Sequence, residues 1–142
     1  MLLCRHNQSS SLLSALQTLL VRKDINLTLR DPLGRNLLCI LARYYHNDSL
    51  IDCAQLLIQR GVSVNAVDNK GKFAFEMLAK YYRGSNLVQI FLLLFKKNSD
   101  QNALASSVET LHSRRRYDDA KQLWSLRVSF NRLIIYSINY LL

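Results

Sequence analysis

Apolar positions along this chain fall into short helical stripes separated by polar, turn-forming stretches. From Ser11 to Arg22, residues Leu12, Leu13, Leu16, Leu19 and Leu20 recur at helical spacing. A second stripe holds Leu37, Leu38, Leu41 and Ala42, and a third holds Leu50, Ile51, Ala54, Leu57 and Ile58 on one helical face. From Leu87 to Phe95 the apolar run is almost unbroken, which predicts a helix covered on more than one side. Two weaker helices are predicted at Ala103 to Ser113, with Val108 and Leu111, and at Tyr117 to Leu126, with Ala120, Leu123 and Trp124. Between the third stripe and the next helix the grammar changes. An apolar helix end stops at Gly61, Val62, Val64 and Ala66 alternate, and an Asp-x-x-Gly turn runs from Asp68 to Gly71. Gly61 is expected to adopt the left-handed conformation at a helix C-terminus, and Gly71 to complete a tight turn opened by Asp68.

The same grammar appears upstream, and the chain aligns with itself at a shift of 37 residues without a gap. Asp31 falls on Asp68, Gly34 on Gly71, Arg35 on Lys72, Leu41 on Leu78, Arg43 on Lys80, and Tyr44-Tyr45 on Tyr81-Tyr82. Farther on, Leu50 falls on Leu87, Leu56-Leu57 on Leu93-Leu94, and Arg60 on Lys97. This unit of turn, helix, loop, helix and linker resembles the ankyrin repeat, most literally in Gly61-Val62-Ser63-Val64-Asn65-Ala66-Val67-Asp68. Two departures stand out. The family's Thr-Pro-Leu-His is replaced by Asn36-Leu37-Leu38-Cys39 and by Phe73-Ala74-Phe75-Glu76. Asn36 can cap a helix and Phe73 cannot, so the second copy is expected to start more weakly. The unit is also longer than the family's usual length, with the excess near His46 to Ser49 and Gly84 to Asn86.

The resemblance implies an all-α, ankyrin-type helical repeat solenoid with short turn or hairpin connections. Residues 1–10 are expected to be a disordered N-terminus and 11–29 a partial, capping repeat. Residues 30–66 and 67–98 form the two recognisable repeats, with Asn98 as a helix stop, and 99–127 form a degenerate closing helix pair. The apolar tail 128–142 fits no repeat position, and strand, packed extension and partner-binding segment all stay open for it.

Composition narrows the class. At 49% hydrophobic, 142 residues suffice for one core, and a single proline and four glycines suit a helical chain. Cys4, Cys39 and Cys53 are odd in number and widely spaced, so neither a zinc motif nor a disulfide framework is expected. With a polar start and no run of membrane-spanning length, an intracellular chain, cytoplasmic or nuclear, is the expectation, and no membrane association. Short glycosylation sequons at Asn7, Asn26 and Asn47 carry little weight without an entry signal. The net charge of +9 is uneven, residues 80–142 holding 10 basic and 4 acidic side chains against 9 and 6 in residues 1–79. Such a surface attracts acidic partners, whether protein, nucleic acid or anionic lipid.

Catalysis would need a convergent cluster of acids, bases or nucleophiles, and the pattern offers none. His6, His46 and His112 read as solvated residues, and Asp118-Asp119 as favourable charge at the start of a helix. No catalytic residue, cofactor or metal ligand is assigned, and the chain is read as a non-catalytic adaptor, inhibitor or regulatory scaffold. The resemblance carries partner contacts onto the turn tips Arg30, Leu33, Arg35, Val67, Asn69, Lys70 and Lys72. On the exposed face of the first helices it carries them onto Cys39, Arg43, Glu76 and Lys80. Tyr44-Tyr45 and Tyr81-Tyr82 admit two readings: a stacked contact stripe, with Tyr44 and Tyr81 toward the partner, or one tyrosine of each pair buried under the interhelical loop. Arg114, Arg115 and Arg116 form the densest basic run. With the Arg-Tyr and Lys-Tyr clusters they keep RNA or other nucleic-acid binding as the alternative to an acidic protein partner.

Overall fold

A computed structural model describes residues 11–95 and 100–125 of the chain. The expectations for residues 1–10, Asn98 and the tail 128–142 lie outside the described residues. Within them the structure is helical: α1 (Ser11–Leu20), α2 (Leu37–Tyr44), α3 (Leu50–Gln59), α4 (Ala74–Tyr81), α5 (Leu87–Phe95), α6 (Gln101–Ser113) and α7 (residues 117–125). Among the described residues the only sheet-like pairing is an isolated antiparallel bridge between Val67 and Phe73.

The helices pack in two rows. α1, α3 and α5 follow one another in one row and α2, α4 and α6 in the other, with α2 against α3 and α4 against α5 joining the rows. The stripes seen in sequence are the buried faces: Leu38, Leu41 and Ala42 from α2, and Leu50, Ala54 and Leu57 from α3. From the second copy come Phe75, Met77, Leu78 and Ala79, with Leu87, Ile90, Phe91, Leu94 and Phe95. Phe75 is the centre of this second region, its ring 5.2 Å from Phe91 and 5.7 Å from Phe95, both edge-on. Leu104, Val108, Leu111, Ala120 and Leu123 extend the core, whereas Trp124, expected in the apolar stripe, is 48% exposed.

Loop chemistry explains the boundaries. Asn36 caps α2, its side-chain oxygen accepting the Cys39 N–H at 3.0 Å. Phe73 has no such oxygen, but Glu76 reaches back to accept the Phe73 N–H at 3.0 Å, the reciprocal half of a capping box. The start of α4, expected to be weak, is thus compensated from three residues on. Gly61 takes φ +90° after α3, with its N–H on Ile58 and the Val62 N–H on Leu57. The extra loop residues wrap around two tyrosines. Tyr45 and Tyr82 are 0% exposed. The Tyr45 hydroxyl bonds Ser49 Oγ at 2.7 Å, and the Tyr82 hydroxyl bonds Asn86. Burial pushes the Tyr82 phenol up to about 12. Asn86 in turn donates to the Asp48 carbonyl at 3.0 Å, tying one loop to the next.

Candidate functional site

The two Asp-x-x-Gly turns are built alike. In the first, Gly34 N–H bonds the Asp31 carbonyl and Asp31 N–H bonds that of Arg35; in the second, Gly71 bonds Asp68 and Asp68 bonds Lys72. The aspartate side chain closes each from within, Asp31 Oδ1 accepting Leu33 and Arg35 N–H groups and Asp68 Oδ1 those of Lys70 and Lys72. The turns also stack on each other. Asn69 donates its backbone N–H to Leu33 at 2.9 Å and its amide to Pro32 at 3.2 Å. Arg30 bridges the Gly34 and Val67 carbonyls at 2.8 Å each.

Below the turns lies an open groove of about 480 Å³. Its rim carries Leu33, Arg35, Asp68, Asn69, Lys70 and Lys72 from the turns, and its walls Arg43 from α2 and Glu76, Lys80 and Tyr81 from α4. Ser106 and Thr110 of α6 complete it. Of the turn, α2 and α4 residues all but Asp68, nine in all, were expected as partner contacts, and they share one concavity although they span 33 to 81 in the chain. Arg43 joins the two copies: its guanidinium sits 4.1 Å over the Tyr81 ring and 5.4 Å from that of Tyr44. Lys80 approaches Tyr81 at 5.4 Å. Tyr81 is half-buried at this wall and Tyr44, which does not line the groove, is half-buried beside Arg35 and Arg43, while their neighbours Tyr45 and Tyr82 are core. A hydrogen bond from Arg35, assisted by Arg43, holds the Tyr44 hydroxyl below the ordinary phenol range.

Charge is concentrated and largely uncompensated. Lys72 pairs with Glu76 at 2.9 Å, but Arg43, Lys70 and Lys80 form no ion pair with another described residue. The groove is thus electropositive. Among the described residues no group of three or more His, Cys, Asp or Glu gathers as a metal site, and no helix is long and apolar enough to cross a membrane. No family model matches the chain, and no curated protein matches it.

Several expectations need correction. Arg35 was expected at an exposed tip but is 2% exposed, its guanidinium held on Asp31 Oδ2 at 2.6 and 2.8 Å. Burial alone would raise the Asp31 carboxyl, yet the Arg35 hydrogen bonds hold it below the usual range. Cys39 is 0% exposed, facing the core from α2, and burial pushes its thiol up to about 11. It presents neither a contact nor a ready nucleophile. His46, read as solvated, is half-buried beside the Tyr82 ring, where burial and the nearby Arg83 and Arg114 charges hold its pKa down. The arginine run splits. Arg114 donates to the carbonyls of Ala79 and Tyr82, and Arg116 to those of Tyr82 and Gly84 and to Asp119 at 2.6 Å. These two close the C-terminal end of α4, where carbonyls lack helical partners. Only Arg115, at φ 59°, is exposed.

Sequence reasoning did not select Ser106, Thr110 or Met77 in the groove. Ser106 and Thr110 are four apart on α6, a spacing that marks one helical face but names no ligand.

Proposed function

We propose that the chain is an ankyrin-type repeat solenoid acting as a non-catalytic protein-binding module, its electropositive groove gripping an acidic segment of a protein partner. The observation that carries this is the convergence of Arg43, Lys70, Lys72 and Lys80 on one groove, with Tyr81 offering aromatic area beside them. The 37-residue register supports the repeat reading, because turn hydrogen bonds, buried tyrosines and helix rows recur at that offset. Rigid stacked helices would present the groove without reorganisation, which lowers the entropic cost of association. Nucleic acid is the weaker reading, since Arg114 and Arg116 are engaged within the fold.

The test is capture of partners from lysate with and without nuclease, at low and moderate salt. Discrete proteins retained after nuclease and at moderate salt are expected. Loss on nuclease treatment, or a steep fall with salt, would replace this reading with nucleic-acid binding.

A further inference from the structure

We propose that Arg43, laid on the Tyr81 ring, is the specificity-determining residue of the groove and takes an aspartate or glutamate side chain of the partner through paired N–H groups. This rests on the protein-binding reading above and names the group that the groove reads.

The first turn holds a precedent within the chain. Arg35 lies 5.4 Å from the centre of the Tyr44 ring and directs its Nε and Nη2 N–H groups onto Asp31 Oδ2 at 2.8 and 2.6 Å. A planar guanidinium can rest against an aromatic ring and keep its edge N–H groups for a carboxylate, which an ammonium cannot do. Arg43 repeats the aromatic half of this arrangement at closer range, 4.1 Å from the centre of the Tyr81 ring and 5.4 Å from that of Tyr44. The carboxylate half is missing, since Arg43 forms no ion pair with another described residue.

The groove's own charges do not supply it. Two carboxylates line the groove, Asp68 and Glu76. Asp68 Oδ1 closes the second turn on the Lys70 and Lys72 backbone N–H groups, and Glu76 gives Oε1 to Lys72 and Oε2 to the Phe73 N–H. Among the cations, Arg35 is engaged by Asp31, Lys72 by Glu76, and Lys70 stands beside Asp68 in its turn. Arg43 and Lys80 remain, and both lie against Tyr81, Lys80 at 5.4 Å. The α6 wall adds Ser106 and Thr110 and no charge. Stacking holds the Arg43 guanidinium in place before a partner arrives, so less side-chain freedom is lost on binding. A carboxylate received there gains charge-assisted hydrogen bonds from Arg43, with Lys80 as a second positive charge.

The probe is hexaglutamate blocked at both ends, titrated into the full chain by NMR at moderate salt. Expected are shifts of the Arg43 Nε–H and the Tyr81 ring, and binding weaker by about tenfold or more in Arg43→Lys, which keeps the charge and loses the fork. Lys70→Arg is expected to change it by less than about threefold. Unchanged Leu41 and Leu78 amides establish that Arg43→Lys is folded, and Tyr81→Leu, which retains every charge, should weaken the same peptide. Binding to Arg43→Lys within about twofold of the parent would overturn the proposal and leave a groove that reads charge alone. Tighter binding through Arg43 of hexaglycine with a free terminal carboxylate, or of a phosphoserine peptide, would overturn it in favour of a chain terminus or a phosphate. Absence of hexaglutamate binding, with capture of proteins from lysate intact, would overturn the carboxylate site only. Absence of both would remove the protein-binding reading as well.

Discussion

In the first turn Arg35 folds back onto Asp31 with both groups 3% exposed in their side chains, whereas in the second turn the matching Lys72 reaches outward to Glu76 with half its side chain in solvent. The backbone hydrogen bonds of the two turns are the same. What differs is cover: the first turn lies beneath Asn69 and Arg30, while the second ends the ladder. A guanidinium can fill Asp31 Oδ2 with two N–H groups and still reach Tyr44 at 3.4 Å, which suits a covered position. A flexible ammonium suits an open one. Equivalent places in the two turns are thus buried in one copy and open to solvent in the next.

The comparison is broken most directly at these two side chains. Arg35→Ala removes both guanidinium bonds to the buried Asp31 carboxylate and is expected to cost about 3–5 kcal/mol. Lys72→Ala removes a partly exposed pair and is expected to cost less than about 1 kcal/mol. Chemical denaturation of both variants checks this, and equal losses would contradict it.

A smaller effect separates the glycines. Gly34 and Gly71 have φ +74° and +71°, so alanine at either meets left-handed strain of about 1–2 kcal/mol. At Gly34 an added Cβ would lie 2.1 Å from Asn69 Oδ1 and 3.0 Å from its backbone N, whereas at Gly71 it would meet nothing within 4 Å. Gly34→Ala is therefore expected to unfold at clearly lower denaturant than Gly71→Ala. If the two are equal, the turns are not stacked.

Acid sharpens the same contrast. Asp31 titrates lower in the folded chain than in the unfolded one, so the unfolded chain binds the extra proton first as pH falls. Its contribution is complete above the unfolded value, near 3.9, and is lost as pH falls through the folded value. In Asp31→Asn the fall of Tm below about pH 4 should be shallower than in the parent chain. An unchanged acid limb would mean that the pair does not carry it.

Much of the architecture is legible in the sequence. The helix stripes, the glycine stops and the 37-residue register all follow from spacing; α1, α2, α3, α5 and α6 fall where the stripes predict, and α4 falls one register after α2. The turn and wall residues of the groove are named through the resemblance to the ankyrin repeat, not from spacing alone. What sequence could not separate was Arg35 from Lys72, because both sit four residues after an aspartate in the same turn. Only the neighbouring turn, 37 residues away, decides which is covered. Cys39 failed for a related reason: its register position implied exposure, but a small thiol opposite the Ala66 carbonyl is enclosed by the following linker. Arg114 and Arg116 read as free charge because their carbonyl acceptors, on Ala79, Tyr82 and Gly84, are more than thirty residues distant.

The central claim is that Arg35 of the first turn carries stability, while Lys70 and Lys80 of the second copy carry the proposed recognition. It is tested most directly by the double variant Lys70→Glu/Lys80→Glu, measured for both Tm and capture of an acidic protein partner after nuclease treatment. The account predicts a Tm within a few degrees of the parent, as surface changes cost about 0.5 kcal/mol or less each, with capture reduced at least tenfold. Capture at the parental level with those two lysines reversed would contradict it.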